Sequence, residues 1–165
     1  MDAIRIAYAE PARAWPVLVC FTRRIEAELR DRMRREFGWS LPRFEAMSAL
    51  SRAETDLQGE GLRMSDLAAA LVVSNGNVTA LVDALVAEGL AIRAPDHDDR
   101  RVSIVRLTPR GRKALAAVAA AHARWLEEIF ATVDPAELER LGALAAETGA
   151  EAAADRAADR PAERA

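Results

Sequence analysis

The sequence predicts a mainly α-helical protein carrying one small β-hairpin, and three observations support that expectation. Hydrophobic residues make up 51% of the chain but aromatic residues only 5%, with alanine abundant, a balance that suits packed helices more than a β-sandwich. Apolar residues recur at spacings of three and four through most of the chain, the period of a helix face. Between Leu90 and Leu107 the pattern changes to two β-prone runs, Leu90–Arg93 and Val102–Leu107, around the polar turn Pro95–Arg101.

Taken in order, residues 1–13 have weak periodicity and are expected as a loose arm. From Trp15 to Phe37 the residues Leu18, Phe21, Ile25, Leu29 and Met33 mark one helix face, while Arg23, Arg24, Arg30, Arg34 and Arg35 occupy the other. Gly38 stops that helix. Ser40–Leu41–Pro42 opens a second, running to about Arg52 with Phe44, Met47 and Leu50 inward. The stretch AETDLQGEG, residues 53–61, reads as a loop. Ser65 is expected to cap a short helix from Asp66 to Leu71, with Leu67 and Leu71 inward. The next helix runs from Ser74 to Glu88, where Val78, Leu81, Val82 and Leu85 form an apolar stripe, and Gly89 ends it. Thr108–Pro109 then starts a long helix to about Phe130. Asp134–Pro135 does the same for a last one carrying Leu138, Leu141 and Leu144. Residues 151–165 form a low-complexity tail of Ala, Asp, Arg and Glu.

At 165 residues the chain is one domain's worth of protein. It has no apolar run of roughly 18 residues and no signal-peptide pattern, so it is expected to be cytoplasmic and to avoid membranes. One cysteine excludes an internal disulfide framework and a cysteine-based zinc site, and two histidines cannot hold a metal alone. No cofactor is expected. No Ser/His/Asp set, phosphate loop or metal-ligand cluster stands out, and Asp96, Asp98 and Asp99 are crowded into one turn; the chain does not read as an enzyme.

Helix, tight turn, helix and charged hairpin, in that order between Arg63 and Lys113, describe a winged helix-turn-helix, a device for lying on DNA. The net charge of −3 argues against such a partner only if the charge is spread evenly. From Arg100 to Lys113 there are six basic residues and no acid, a locally basic strip on an acidic body. Residues 53–108 are therefore expected to form the winged DNA-binding region. Residues 14–52 and 109–150 are expected to form a helical dimerisation region, since their apolar stripes have no obvious partner inside so small a domain.

Asp99-Arg100-Arg101, the V-x-L-T-x-x-G pattern at Val105, Leu107, Thr108 and Gly111, and Gly89-Leu90 ahead of the hairpin resemble the MarR family of bacterial winged-helix regulators. The resemblance covers about Trp15 to Thr148. It implies an obligate homodimer with first and last helices interleaved, and two winged domains straddling a pseudo-palindromic operator in double-stranded DNA. It also implies that the Ser74–Glu88 helix enters the major groove while the wing tip reaches the adjacent minor groove. On a helical projection Gly76, Ala80, Asp83, Ala84 and Ala87 stand opposite the core stripe, flanked by Asn77 and Thr79. Many relatives carry a basic residue where Ala80 and Ala84 stand. The candidate DNA contacts are thus Ser74, Asn75, Asn77 and Thr79 on the helix, with Arg100 on the backbone and Arg101 in the minor groove. Asp99 is expected to orient an arginine. Ser74-Asn75-Gly76 acting only as turn and cap is the alternative.

The resemblance further implies a repressor released by a small aromatic anion held between the dimer helices and the winged domain. Candidate contacts are Trp39, Phe44, Arg23, Arg24, His122 and Trp125. For His122 and Trp125 a purely structural, buried role is the alternative. The segments FTRRIEAELRDRMRREFGWSLPRFEAMSAL and VVSNGNVTALVDALVAEGL resemble the branch controlling aromatic-acid (hydroxycinnamate) catabolism, so an aromatic acyl-CoA is a further candidate effector. An arginine-rich first helix could meet its phosphates, or could be a solvated charge row. A different class of function is cysteine-based redox sensing through Cys20. The chain's only tyrosine, Tyr8, lies in the arm, and Cys20 between Val19 and Phe21 is expected to be a small buried hydrophobe.

Overall fold

The computed structural model describes residues 10–56, 61–71, 75–96 and 102–158. Nine elements follow along the described chain: α1 (Glu10–Phe37), α2 (Leu41–Asp56), β1 (Leu62–Arg63), α3 (Met64–Leu71), α4 (Asn75–Ala87), β2 (Ala91–Pro95), β3 (Ser103–Leu107), α5 (Pro109–Ile129) and α6 (Pro135–Ala158). They divide into two compact units, one ending at Leu126 and the other starting at Glu127. The expected class, mainly helical with a small β wing, is the one observed.

Helix α1 starts five residues ahead of Trp15 and runs through Pro16, which has no N–H to offer the helix. Its apolar stripe divides into two. Leu29 and Met33 are buried, whereas Leu18 and Phe21 are 50% and 45% exposed and Trp15 and Val17 are 67% and 68% exposed. Gly38 ends the helix at φ 68°, its N–H donating to the Arg34 carbonyl at 3.0 Å, the left-handed cap that glycine adopts without steric cost.

The Ser40 hydroxyl accepts the Arg43 N–H at 3.4 Å and caps α2. Phe44, Met47 and Leu50 are buried as expected. The helix continues past Arg52 to Asp56, into the stretch expected as a loop. Ala53 packs into the core, and Glu54 accepts the Leu107 N–H at 2.9 Å. Those tertiary contacts hold a last turn that local sequence does not announce.

A second departure is β1. The sequence predicts a hairpin alone, but Leu62 pairs with Val105 and Arg63 with Ile104, giving a three-stranded antiparallel sheet in the order β1-β3-β2. Two residues are too short to show an alternating pattern. Gly61 makes the approach possible: its φ is 83°, and a Cβ there would stand 2.5 Å from the Val105 carbonyl oxygen. Because β1 runs straight into α3, that helix starts at Met64. Ser65 lies inside its first turn, bonded to the Asp66 carboxylate at 3.2 Å, and is not the expected cap.

Along α4, Val78, Val82 and Leu85 are buried and Leu81 partly so. Gly89 closes it at φ 68° in a Schellman cap: Leu90 N–H donates to Leu85 at 2.9 Å and Gly89 N–H to Val86 at 2.9 Å. Strands β2 and β3 pair from Ala91↔Leu107 to Pro95↔Ser103. The turn at residues 97–101 lies outside the described residues. Thr108 joins the ends of two helices, donating its hydroxyl to the Gly89 carbonyl at 2.8 Å and accepting the Gly111 N–H at 2.9 Å. Leu115, Val118, Ala121 and Trp125 form the buried face of α5. The Asp134 carboxylate caps α6 through the Ala136 N–H at 2.9 Å, and Leu141 and Leu144 on that helix are exposed. Within the segment expected as a tail, α6 continues to Ala158. Among the described residues no single helix is long and apolar enough to cross a membrane.

Candidate nucleic-acid interface

Burying Val78, Val82 and Leu85 turns the opposite side of α4 outward, where Gly76, Ala80, Asp83, Ala84 and Ala87 are all exposed. Asn77 and Thr79 are exposed on either flank of that face. Asn75 is the first residue of α4. Ser74, expected just before it, lies outside the described residues, as do Asp99, Arg100 and Arg101 of the wing tip.

The base of the wing is described, and it is laced with ion pairs. Arg63 of β1 meets Asp96 at 3.2 Å, Arg93 of β2 meets Asp83 of α4 at 2.8 Å, and Arg112 of α5 meets Glu54 of α2 at 3.1 Å. Arg112 also donates to the Leu107 carbonyl at 2.9 Å. The strip that contains no acid in sequence therefore has one in space, because Glu54 arrives from α2. Sequence reasoning did not single out Arg93, and its only sequence signal was a lone basic residue in a β-prone run.

The candidate effector contacts fall in two places. Phe44 is buried with its ring 4.5 Å from that of His122, and Trp39 lies under the Arg43 guanidinium at 4.6 Å. Burial holds the His122 pKa below its ordinary value, which favours a neutral imidazole. Trp125 is a buried core residue beside Phe37, ring centroids 6.1 Å apart. Arg23 and Arg24 are exposed on α1, lining an open groove of about 530 Å³ with Trp15, Val19 and Cys20. Phe37 lies thirteen positions beyond Arg24 on the helix, about 20 Å of axial rise, so the two sets do not meet within one chain.

Cys20 is exposed, contrary to the expectation of burial. It shares the helix face of Arg23, Arg24 and Ala27, opposite the Leu29–Met33 face that packs on the protein. Among the described residues no cluster of His, Cys, Asp or Glu could hold a metal ion.

Residues 39–103 match the model of the MarR family. The uncharacterized HTH-type transcriptional regulator YkoM of Bacillus subtilis is 29% identical over 125 residues, which are 75% of this chain and 75% of that protein. The transcriptional activatory protein BadR of Rhodopseudomonas palustris is 33% identical over 91 residues, 55% of this chain and 45% of its own length. Among solved structures, the transcriptional regulator BldR from Sulfolobus solfataricus superposes with a TM-score of 0.72 at 28% identity, covering 84% of this chain and 96% of that one. CouR from Rhodococcus jostii RHA1, bound to p-coumaroyl-CoA, superposes with a TM-score of 0.73 over 86% of this chain and 95% of its own, a likeness of fold at 17% identity. The matched residues run from Trp39 to the first residue of β3, so this part of the chain is similar to the MarR-family winged-helix transcriptional regulators, and the order of elements agrees with that likeness.

Proposed function

We propose that this chain is a MarR-family regulator that acts in the cytoplasm as a homodimeric repressor, bound to a pseudo-palindromic operator and released by a small aromatic acid or its CoA thioester. The observation that carries the dimer is the exposed apolar half of α1. Trp15, Val17, Leu18 and Phe21 are large apolar side chains left open on α1, and on α6 Leu141 and Leu144 are exposed as well. A two-fold dimer presents two recognition helices at a fixed spacing, which a pseudo-palindrome mirrors. On this reading residues 14–52 and 109–150 form the dimerisation region, residues 53–108 the reading head and residues 151–165 a low-complexity tail. Ser74, Asn75, Asn77 and Thr79 meet the major groove, Arg100 the backbone and Arg101 the minor groove, with Asp99 orienting an arginine.

The effector reading draws support from two separated chemistries. An aromatic set (Trp39, Phe44 and His122) lies at one end of α1, and a guanidinium pair (Arg23 and Arg24) lies about 20 Å along it. An acyl-CoA has an aromatic head and a phosphorylated tail, so it suits both. The p-coumaroyl-CoA bound by CouR is a molecule of that kind. Release requires that the ligand prefer a spacing of the reading heads that does not fit DNA. Titration calorimetry and gel shift with p-coumaroyl-CoA, free p-coumarate and salicylate test this. The thioester is expected to bind and free the DNA, and loss of Arg23 and Arg24 to weaken the thioester but not the free acids. Binding by none of the three removes the effector reading.

The relative BadR, an activatory protein, favours a second reading in which bound protein activates. Deleting the gene and measuring transcripts from the operator decides it: a rise marks a repressor and a fall an activator. Redox sensing is not favoured, since one cysteine leaves the chain without a resolving thiol of its own.

A further inference from the structure

The outward face of α4 has no basic side chain of its own. Of its five residues, Gly76, Ala80, Ala84 and Ala87 are small and uncharged, and Asp83 is an acid. A carboxylate turned toward duplex DNA meets about one negative charge per 1.7 Å of axis, so left alone it would oppose docking.

The compensating charge comes from another element. Arg93 stands on β2 opposite Val105, so its side chain leaves the sheet on the face that α4 covers. It then reaches along the helix. One terminal nitrogen lies 2.8 Å from the Asp83 carboxylate and the other donates to the Thr79 carbonyl at 3.4 Å. Thr79 and Asp83 are one turn apart, so the guanidinium runs along the hairpin-side edge of the outward face. The pair is not buried: the Arg93 side chain is 32% exposed and that of Asp83 59%. An ion pair this open adds little to stability, and its main consequence is that the Asp83 carboxylate is neutralised at that edge. A guanidinium carries five N–H donors in a planar fork, so engaging one carboxylate and one carbonyl leaves donors for a further oxygen.

We propose that Arg93 is the basic residue of the recognition face: it neutralises Asp83 and takes a DNA phosphate at the seam between recognition helix and wing. The charge that α4 lacks at Ala80 and Ala84 is thereby supplied from β2. Asp83 makes no DNA contact in this arrangement; it is the acid that Arg93 offsets.

The test uses the full chain and a fluorescently labelled duplex of about 30 base pairs of mixed sequence, roughly three helical turns, because a phosphate contact operates on any sequence. Affinity is followed by anisotropy across a salt series for wild type, Arg93→Ala, Arg93→Lys, Asp83→Ala and the Asp83→Ala/Arg93→Ala double variant. Arg93→Ala is expected to weaken binding about tenfold and to lower the slope of log affinity against log salt by about 0.9 for each site. Arg93→Lys keeps most of the slope. Asp83→Ala keeps both slope and affinity or binds more tightly. The double variant stays shallow, because removing the acid does not restore the phosphate contact.

A double variant that regains wild-type affinity and slope overturns the proposal, since Arg93 would then only neutralise Asp83. A weakened Arg93→Ala with an unchanged slope overturns it as well. Should Arg93→Ala fail to fold by circular dichroism, Arg93→Gln retains the stem, and a wild-type slope in that variant is equally fatal. A wild-type chain that binds no duplex at low salt would count against the DNA-binding reading itself, and the proposal would fall with it.

Discussion

The guanidinium of Arg43 holds both carboxylate oxygens of Glu88, at 2.8 Å and 2.5 Å, across 45 residues of sequence. Arg43 lies in the first turn of α2 and Glu88 directly follows α4, so the pair ties the end of α4 to the start of α2. The same guanidinium lies over the Trp39 ring at 4.6 Å. A carboxylate at a helix C-terminus opposes the helix dipole, and Arg43 offsets that. The Arg43 side chain is 18% exposed and its Nε is buried without a hydrogen-bond partner, so this pair is better shielded than an ordinary surface pair. Arg43→Ala should cost about 1–2 kcal/mol in urea unfolding, and a double-mutant cycle with Glu88→Gln should return a coupling of about 1 kcal/mol. A coupling near zero would mark the pair as surface decoration.

Gly111 is required for a steric reason. A Cβ at that position would stand 2.0 Å from the Leu90 carbonyl oxygen, which is backbone and has no room to yield. Gly111→Ala should therefore destabilise the protein by about 3 kcal/mol or more, read as a fall in urea midpoint. Thr108→Val, which removes the shared cap between α4 and α5, should cost about 1 kcal/mol. A Gly111→Ala protein as stable as wild type would mean that the α5–Leu90 approach is looser than described.

Leu18 is half-exposed in the single chain and belongs to the apolar half of α1. Leu18→Glu should convert the proposed dimer to monomer, because an uncompensated charge in an apolar interface is costly to desolvate. Sedimentation velocity at micromolar concentration reads the outcome, and helicity by circular dichroism should be unchanged. A wild-type chain that sediments as a monomer would remove the dimer proposal.

Burial holds His122, whose ring lies against Phe44, below its ordinary pKa, so the folded imidazole stays neutral to lower pH than the unfolded one. Between those two values the unfolded state binds more protons, and stability falls as pH falls. The His122 contribution is fully present above about pH 6.5 and is lost as pH drops toward the folded value. Melting wild type and His122→Gln at neutral and mildly acid pH should show the larger drop in wild type. Equal drops would show that His122 titrates alike in both states.

For the wing, Arg101→Ala should weaken operator binding by about 1–3 kcal/mol in a gel shift at fixed salt, with the largest loss at A·T-rich flanks where the minor groove is narrow. Unchanged affinity would withdraw Arg101 from the minor groove.

Much of the fold was legible because its signals are local. Gly38 and Gly89 end helices by adopting a left-handed backbone, and Ser40, Thr108 and Asp134 start them with side-chain oxygens, all within a few residues. The stripe on α4 foretold its buried face for the same reason: helical period is a property of consecutive positions. The candidate site was legible only in part. The helix-turn-helix and hairpin could be placed, but Arg93 could not be told from any other strand arginine.

What sequence alone determined, then, was element type, most helix ends and which face of α4 turns outward, since each follows from backbone preference or periodicity over a single turn. Tertiary structure decided the rest. It added β1, extended α2 by a turn through Ala53 and Glu54, and left Cys20 exposed by putting the opposite side of α1 against the protein. It also chose the partners: Arg43 with Glu88, Arg112 with Glu54 and Arg93 with Asp83 join residues far apart in the chain. Charge acts through space over a few ångströms and takes no account of sequence separation, so a basic strip with no acid in the sequence acquires one only when the chain has folded.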